Sequence, residues 1–88
     1  MNKVTVIKSA KAECKTCHEA HRVVLDALES GFQGRVTLEV LINDGNSEVK
    51  TYGIISTPVF AINKKIYSMG KPLLKEKVIA WILKEIGN

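Results

Sequence analysis

Cys14-Lys15-Thr16-Cys17 lies between a short β-branched run, Val4-Thr5-Val6-Ile7, and a stretch of helical period that ends near Gly31. These are the only two cysteines in the chain. A strand that delivers two closely spaced thiols to the start of a helix is the layout of a dithiol site. Residues three apart on a helix share a face, so the two sulfurs can meet. A second signal stands far downstream, where Ser56-Thr57-Pro58 precedes another strand-like run, Val59-Phe60-Ala61-Ile62.

The helical period assigns the two thiols different surroundings. Cys17, Ala20, Val24, Ala27, Leu28 and Gly31 fall in one stripe, away from Glu19, Arg22, Asp26 and Glu29. Cys14 lies one turn earlier, at the edge of that stripe. Cys14 is therefore expected to meet solvent and Cys17 to be covered. A Cys14 thiolate would face the unpaired amides of the first helical turn, which favour negative charge. Lys11 and Lys15 add to that effect and Glu13 opposes it.

The remaining elements follow from pattern and punctuation. Val36, Leu38, Val40 and Ile42 alternate with Thr37, Glu39 and Leu41, which predicts a strand with one mainly buried face. Ser47 to Tyr52 reads as a short helix capped by Asn46 or Ser47 and stopped by Gly53. Pro58 suits the entry of a strand over Val59–Ile62. Asn63-Lys64-Lys65 turns the chain, and Ile66 to Met69 returns it to Gly70. Pro72 suits the first turn of a last helix running to Ile86. Its wide apolar face comprises Leu74, Val78, Ile79, Trp81, Ile82, Leu83 and Ile86. The order is β-α-β-(α)-β-β-α. The first two strands are parallel through a crossover helix, and the later hairpin adds antiparallel strands. This predicts an α/β fold, a four-stranded mixed sheet of order 2-1-3-4 flanked by helices. Phe60 and Ile62 are core candidates, Trp81 a packing group, and Tyr52 a seal between the short helix and the core.

Size and charge narrow the function. The chain has 88 residues, 45% of them hydrophobic. It is read as a single domain spanning 1–88, of a size that buries roughly 60–65% of its unfolded surface. The formal net charge is +4, from 13 basic and 9 acidic residues. The lysines are scattered rather than interleaved with exposed aromatics, so no nucleic-acid partner is expected. The N-terminal apolar run is too short for a secretion signal, and nothing approaches the about 18 apolar residues of a membrane span. A cytoplasmic monomer without a membrane partner is expected. In a reducing compartment a cysteine pair of this spacing is catalytic or metal-binding rather than a static staple.

Three metal readings compete with the redox one. Cys14-Lys15-Thr16-Cys17-His18 matches the haem-attachment pattern literally. That chemistry normally needs an exported chain, and no haem pocket is evident. Cys14, Cys17, His18 and His21 offer zinc ligands, but four ligands within one helix start converge poorly. A copper-carrying domain also places two such cysteines before its first helix, but it ends in a strand where this chain ends in a helix. No metal and no cofactor is expected, and a soft-metal (copper or zinc) binding or carrier module stays open as the alternative function.

With both signals in view, the chain resembles the thioredoxin/glutaredoxin superfamily, and specifically its small single-domain members. Tyr52-Gly53-Ile54-Ile55-Ser56-Thr57-Pro58 is similar to the thioredoxin segment that leads to a cis-proline. Pro58-Val59-Phe60-Ala61-Ile62-Asn63 is similar to a glutaredoxin strand. The resemblance implies a thioredoxin-like fold, a cis bond before Pro58, and substrate-peptide binding by the backbone of Thr57 beside Pro58. It implies a dithiol-disulfide oxidoreductase with Cys14 and Cys17 as the catalytic pair. Its partners would be disulfide-containing proteins, with a small thiol or flavoprotein reductase as electron donor. The chain departs from the family in three places. Lys15-Thr16 replaces the Gly-Pro of thioredoxins. Lys8 stands about where thioredoxins carry a buried acid. Ser68-Met69-Gly70-Lys71 replaces the glutathione patch of glutaredoxins.

Overall fold

The computed structural model describes residues 2–11, 13–45 and 47–87. The elements, in chain order, are β1 (Asn2–Ser9), α1 (Lys15–Glu29), β2 (Val36–Asn43), α2 (Ser47–Lys50), β3 (Val59–Ile62), β4 (Lys65–Met69) and α3 (Lys75–Ile86). The sheet has the order β2-β1-β3-β4. β1 pairs parallel with β2 and antiparallel with β3, and β3 pairs antiparallel with β4. The expected α/β class and strand order are observed.

The central strands are covered on both faces, which is why β1 reads as a continuous β-branched run rather than an alternation. Val4 and Val6 pack with Ala20, Val24 and Ala27 of α1 and with Val78 and Ile82 of α3. Phe60 and Ile62 of β3 complete this layer. Ile7 and Val59 face the other way, onto Val49 of α2, with Leu41, Tyr52 and Ile55 around them. Tyr52 thus packs where the sequence places it. Trp81 is half-buried between two rings, with centroids 5.8 Å from Phe60 and 5.5 Å from Tyr67. No helix among the described residues is long and apolar enough to cross a membrane.

Three local expectations are corrected. The alternating face of β2 is buried only at its start. Val36 is buried and Leu38 half-buried, whereas Val40 and Ile42 are 38% and 39% exposed. β2 is an edge strand with a neighbour on one side only, and Leu41, on the opposite face, joins the layer under α2. Pro72 does not open α3. Residues 71–74 form an irregular connection that carries Leu73 into the core, and α3 starts at Lys75 with Leu74, in an extended conformation, as its N-cap. Leu74 is consequently 54% exposed instead of lining the apolar face. The stripe of α1 also ends earlier than its period suggests. Leu28 is half-buried and Gly31 exposed, because the helix closes at Ser30, whose hydroxyl donates to the Ala27 carbonyl at 2.6 Å. The suggested cap at Asn46 lies outside the described residues.

Candidate active site

Cys14 is the N-cap of α1, in an extended backbone conformation. Its sulfur accepts a hydrogen bond from the backbone N–H of Cys17 at 3.3 Å. This is the role a serine or aspartate oxygen usually plays at that position. The cap geometry turns the Cys14 side chain back over the first turn and brings the two sulfurs to bonding distance, with Cα atoms 5.3 Å apart. Cys14 is half-buried at the rim, whereas Cys17 is 1% exposed. The difference follows from angular position on α1, since Cys17 shares its stripe with Ala20 and Val24.

Cys17 is also tied to the sheet. The Ser9 N–H, at the end of β1, donates to its sulfur at 3.4 Å. The β1–β3 register pairs Ile7 with Val59, so Pro58 and Thr57 flank this same end of the sheet. The Thr57–Pro58 peptide bond is cis. Pro58 is buried and Thr57 half-buried. All four residues singled out from the sequence therefore gather where β1 ends, β3 begins and α1 starts.

A glycine anchors the proline segment. Gly70 has φ +71° and its N–H donates to the Pro58 carbonyl at 2.8 Å. A Cβ there would stand 3.3 Å from that of Ser56. Left-handed backbone costs an L-residue roughly 1–2 kcal/mol, and the contact adds to it. Gly70→Ala is expected to lower stability by about that amount. A lower urea midpoint with an unchanged denaturant slope is the check.

The histidines separate. His18 is exposed on α1. His21 is half-buried, with Nδ1 3.5 Å from the Lys8 ammonium. Burial, then the Lys8 charge, then His18, hold the His21 imidazole below its ordinary value of 6.5. No group of three or more His, Cys, Asp or Glu side chains converges among the described residues as a metal cage would require. Lys8 directs its charge at His21, a contact that sequence spacing alone gives no means of finding.

Sequence reasoning also missed a polar pair on the far edge of the sheet. The Tyr67 hydroxyl donates to the Glu85 carboxylate, which also meets the Lys65 ammonium at 3.6 Å. The hydrogen bond from Tyr67 is the main cause that holds Glu85 below the usual carboxylate range, and the same bond raises Tyr67. A cavity of about 340 Å³ lies beside this pair, among Met69, Lys71, Leu73, Lys77 and Trp81. It includes neither cysteine and neither Thr57 nor Pro58.

The family model described as "Thioredoxin domain" matches residues 2–83. No curated protein matches the chain. The fold and a cysteine pair at disulfide distance fit a redox role.

Proposed function

The chain belongs to the thioredoxin domain family, and on that premise we propose that it is a thiol-disulfide oxidoreductase that reduces or exchanges protein disulfides. The observation that carries this reading is the unequal cover of two sulfurs held at bonding distance on the start of α1. Cys14, at the rim, is the attacking thiol, and Cys17, beneath it, resolves.

The chemistry balances without a cofactor. The Cys14 thiolate attacks one sulfur of a substrate disulfide, and the other sulfur leaves as a thiolate that takes a proton from solvent. A mixed disulfide joins Cys14 to the substrate. Cys17 loses its proton to solvent and attacks the Cys14 sulfur. The Cys14–Cys17 bond forms, and the second substrate sulfur leaves. Two electrons have passed from the protein to the substrate. A small thiol or a flavoprotein reductase returns them, and the direction follows the reduction potentials of the partners. The half-buried Thr57, next to Pro58 at the same end of the sheet, offers backbone to the incoming peptide.

The test is stoichiometric. Fully reduced protein, mixed with insulin under anaerobic conditions, is expected to convert one substrate disulfide to two thiols per Cys14–Cys17 pair oxidised. Thiol counting and mass spectrometry read both sides. A protein that stays reduced in the presence of insulin and of a small-molecule disulfide overturns the proposal.

A further inference from the structure

We infer that Lys8 and His21 form a cationic clamp beneath α1 that stabilises the thiolate of Cys17, with Lys8 supplying the charge and His21 positioning it. The inference deepens the reading above, because it concerns the second, resolving thiol of the same site.

The need for such a device comes from burial. Cys17 is 1% exposed. An apolar setting favours the neutral thiol over the thiolate, and only the thiolate attacks a disulfide. A resolving cysteine at this depth therefore needs a compensating positive influence on its buried side. The Ser9 N–H supplies a weak one.

The structure places a full charge in the same region. Side chains alternate along a strand, and Val4 and Val6 of β1 pack on α1. Lys8 continues that row toward the end of the strand. Its ammonium meets His21 Nδ1 at 3.5 Å. His21 follows Cys17 by one helical turn, and residues so spaced are neighbours on a helix surface. Ser9, bonded to the Cys17 sulfur, is the residue after Lys8. The two members of the clamp thus stand on the strand residue next to the one bonded to Cys17 and on the next turn of its own helix. Lys8 belongs to neither ion pair found among the described residues, Lys3–Glu39 and Lys65–Glu85, so no carboxylate there neutralises it.

The imidazole has a defined part. An ammonium only donates, so the contact requires a lone pair on Nδ1 and the proton on Nε2. Protonating His21 removes that lone pair and sets two cations, His21 and Lys8, against each other. Ile42, paired with Lys8 from β2, is apolar and offers no countercharge. The neutral imidazole is favoured by the fold, with its pKa below 6.5. The sign follows: the clamp is closed at neutral pH and opens as pH falls through the depressed value. The proton-linked stability has the same sense, present above 6.5 and lost on acidification.

The experiment isolates Cys17 as a lone thiol in the Cys14→Ser protein and titrates it by thiolate ultraviolet absorbance. Adding Lys8→Met, which keeps the apolar stem, is expected to cut the thiolate fraction at pH 7 about tenfold, one pKa unit. Lys8→Arg is expected to restore most of it. His21→Leu is expected to lose about threefold, half a unit, and to flatten the acid limb of the titration. Circular dichroism reports whether each variant is folded, and Lys8→Gln substitutes for Lys8→Met where that one is not. An unchanged Cys17 titration in folded Lys8→Met or Lys8→Gln protein overturns the clamp, whatever the insulin assay shows. Failure of insulin reduction with the titration shift intact instead overturns the proposed function and leaves the clamp standing.

Discussion

Cys17→Ser protein is expected to accumulate as a covalent adduct with its substrate through Cys14. The argument is geometric. Cys14 sits at the rim as the N-cap of α1, while Cys17 is covered and fixed to the Ser9 N–H. An incoming disulfide reaches Cys14 first. The mixed disulfide then persists, because a serine hydroxyl at position 17 does not displace a thiolate from sulfur. Turnover should fall by about 10³-fold or more, the order of loss when a group of a catalytic nucleophile's kind is removed. Non-reducing electrophoresis followed by peptide mass spectrometry shows the adduct and its position. The mirror variant, Cys14→Ser, should lose turnover without trapping substrate. Trapping on Cys17 with Cys14 absent would reverse the two roles.

Phe60→Ala is expected to be the most damaging single change in the core. Phe60 is fully buried, stacks on Trp81, and belongs to the layer that β1, α1 and α3 share. Truncating a buried phenylalanine costs about 3–5 kcal/mol from lost transfer energy and the cavity left behind. A domain of this size has only about 5–15 kcal/mol in total. At about 4–8 °C per kcal/mol for small domains, the midpoint should drop by about 12–40 °C. Phe60→Leu keeps most of the volume and should cost well under half as much. Thermal and urea unfolding of the pair measure both. A loss below about 1 kcal/mol for Phe60→Ala, well short of the usual range, would mean that the layer collapses onto the gap.

The fold was legible because its strongest signals are local. Val4-Thr5-Val6-Ile7 announces a strand in a buried setting, and β1 is buried there, with Val4 and Val6 in one layer and Ile7 in the other. Cys17 is covered because helical angle places it in the stripe of Ala20 and Val24, and angle can be read from spacing, whereas Cys14 stands just before α1 as its N-cap. Pro58 marks a strand entry because it lacks an N–H. What escaped depends on distant neighbours. The exposure of Val40 and Ile42 follows from the position of β2 at the sheet edge, which its own alternation does not reveal. Pro72 is compatible with a first helical turn, yet the burial of Leu73 takes precedence and delays α3 to Lys75. Lys8 and His21 meet only because β1 runs beneath α1, so neither residue carried a signal of the contact in its own surroundings. The bond between Tyr67 and Glu85 likewise joins β4 to α3 across the fold.

The position of β1 in the middle of the sheet bears on how the chain is made. β1 has one partner in β2 and the other in β3, where Val4 lies 58 residues before Ile62. At about 5–20 residues per second, roughly 3–12 s of synthesis separate the two. Throughout that interval β1, α1 and β2 exist without β3, and Val6 and Ile7 lack the neighbours that bury them. α3, which closes the layer over Phe60 and Val4, is translated after β3 and β4. Cys17 is therefore translated well before α3, which helps cover the stripe of α1 that Cys17 shares with Ala20 and Val24. Until α3 docks, the layer that Val4, Val24 and Phe60 share stays open on one side.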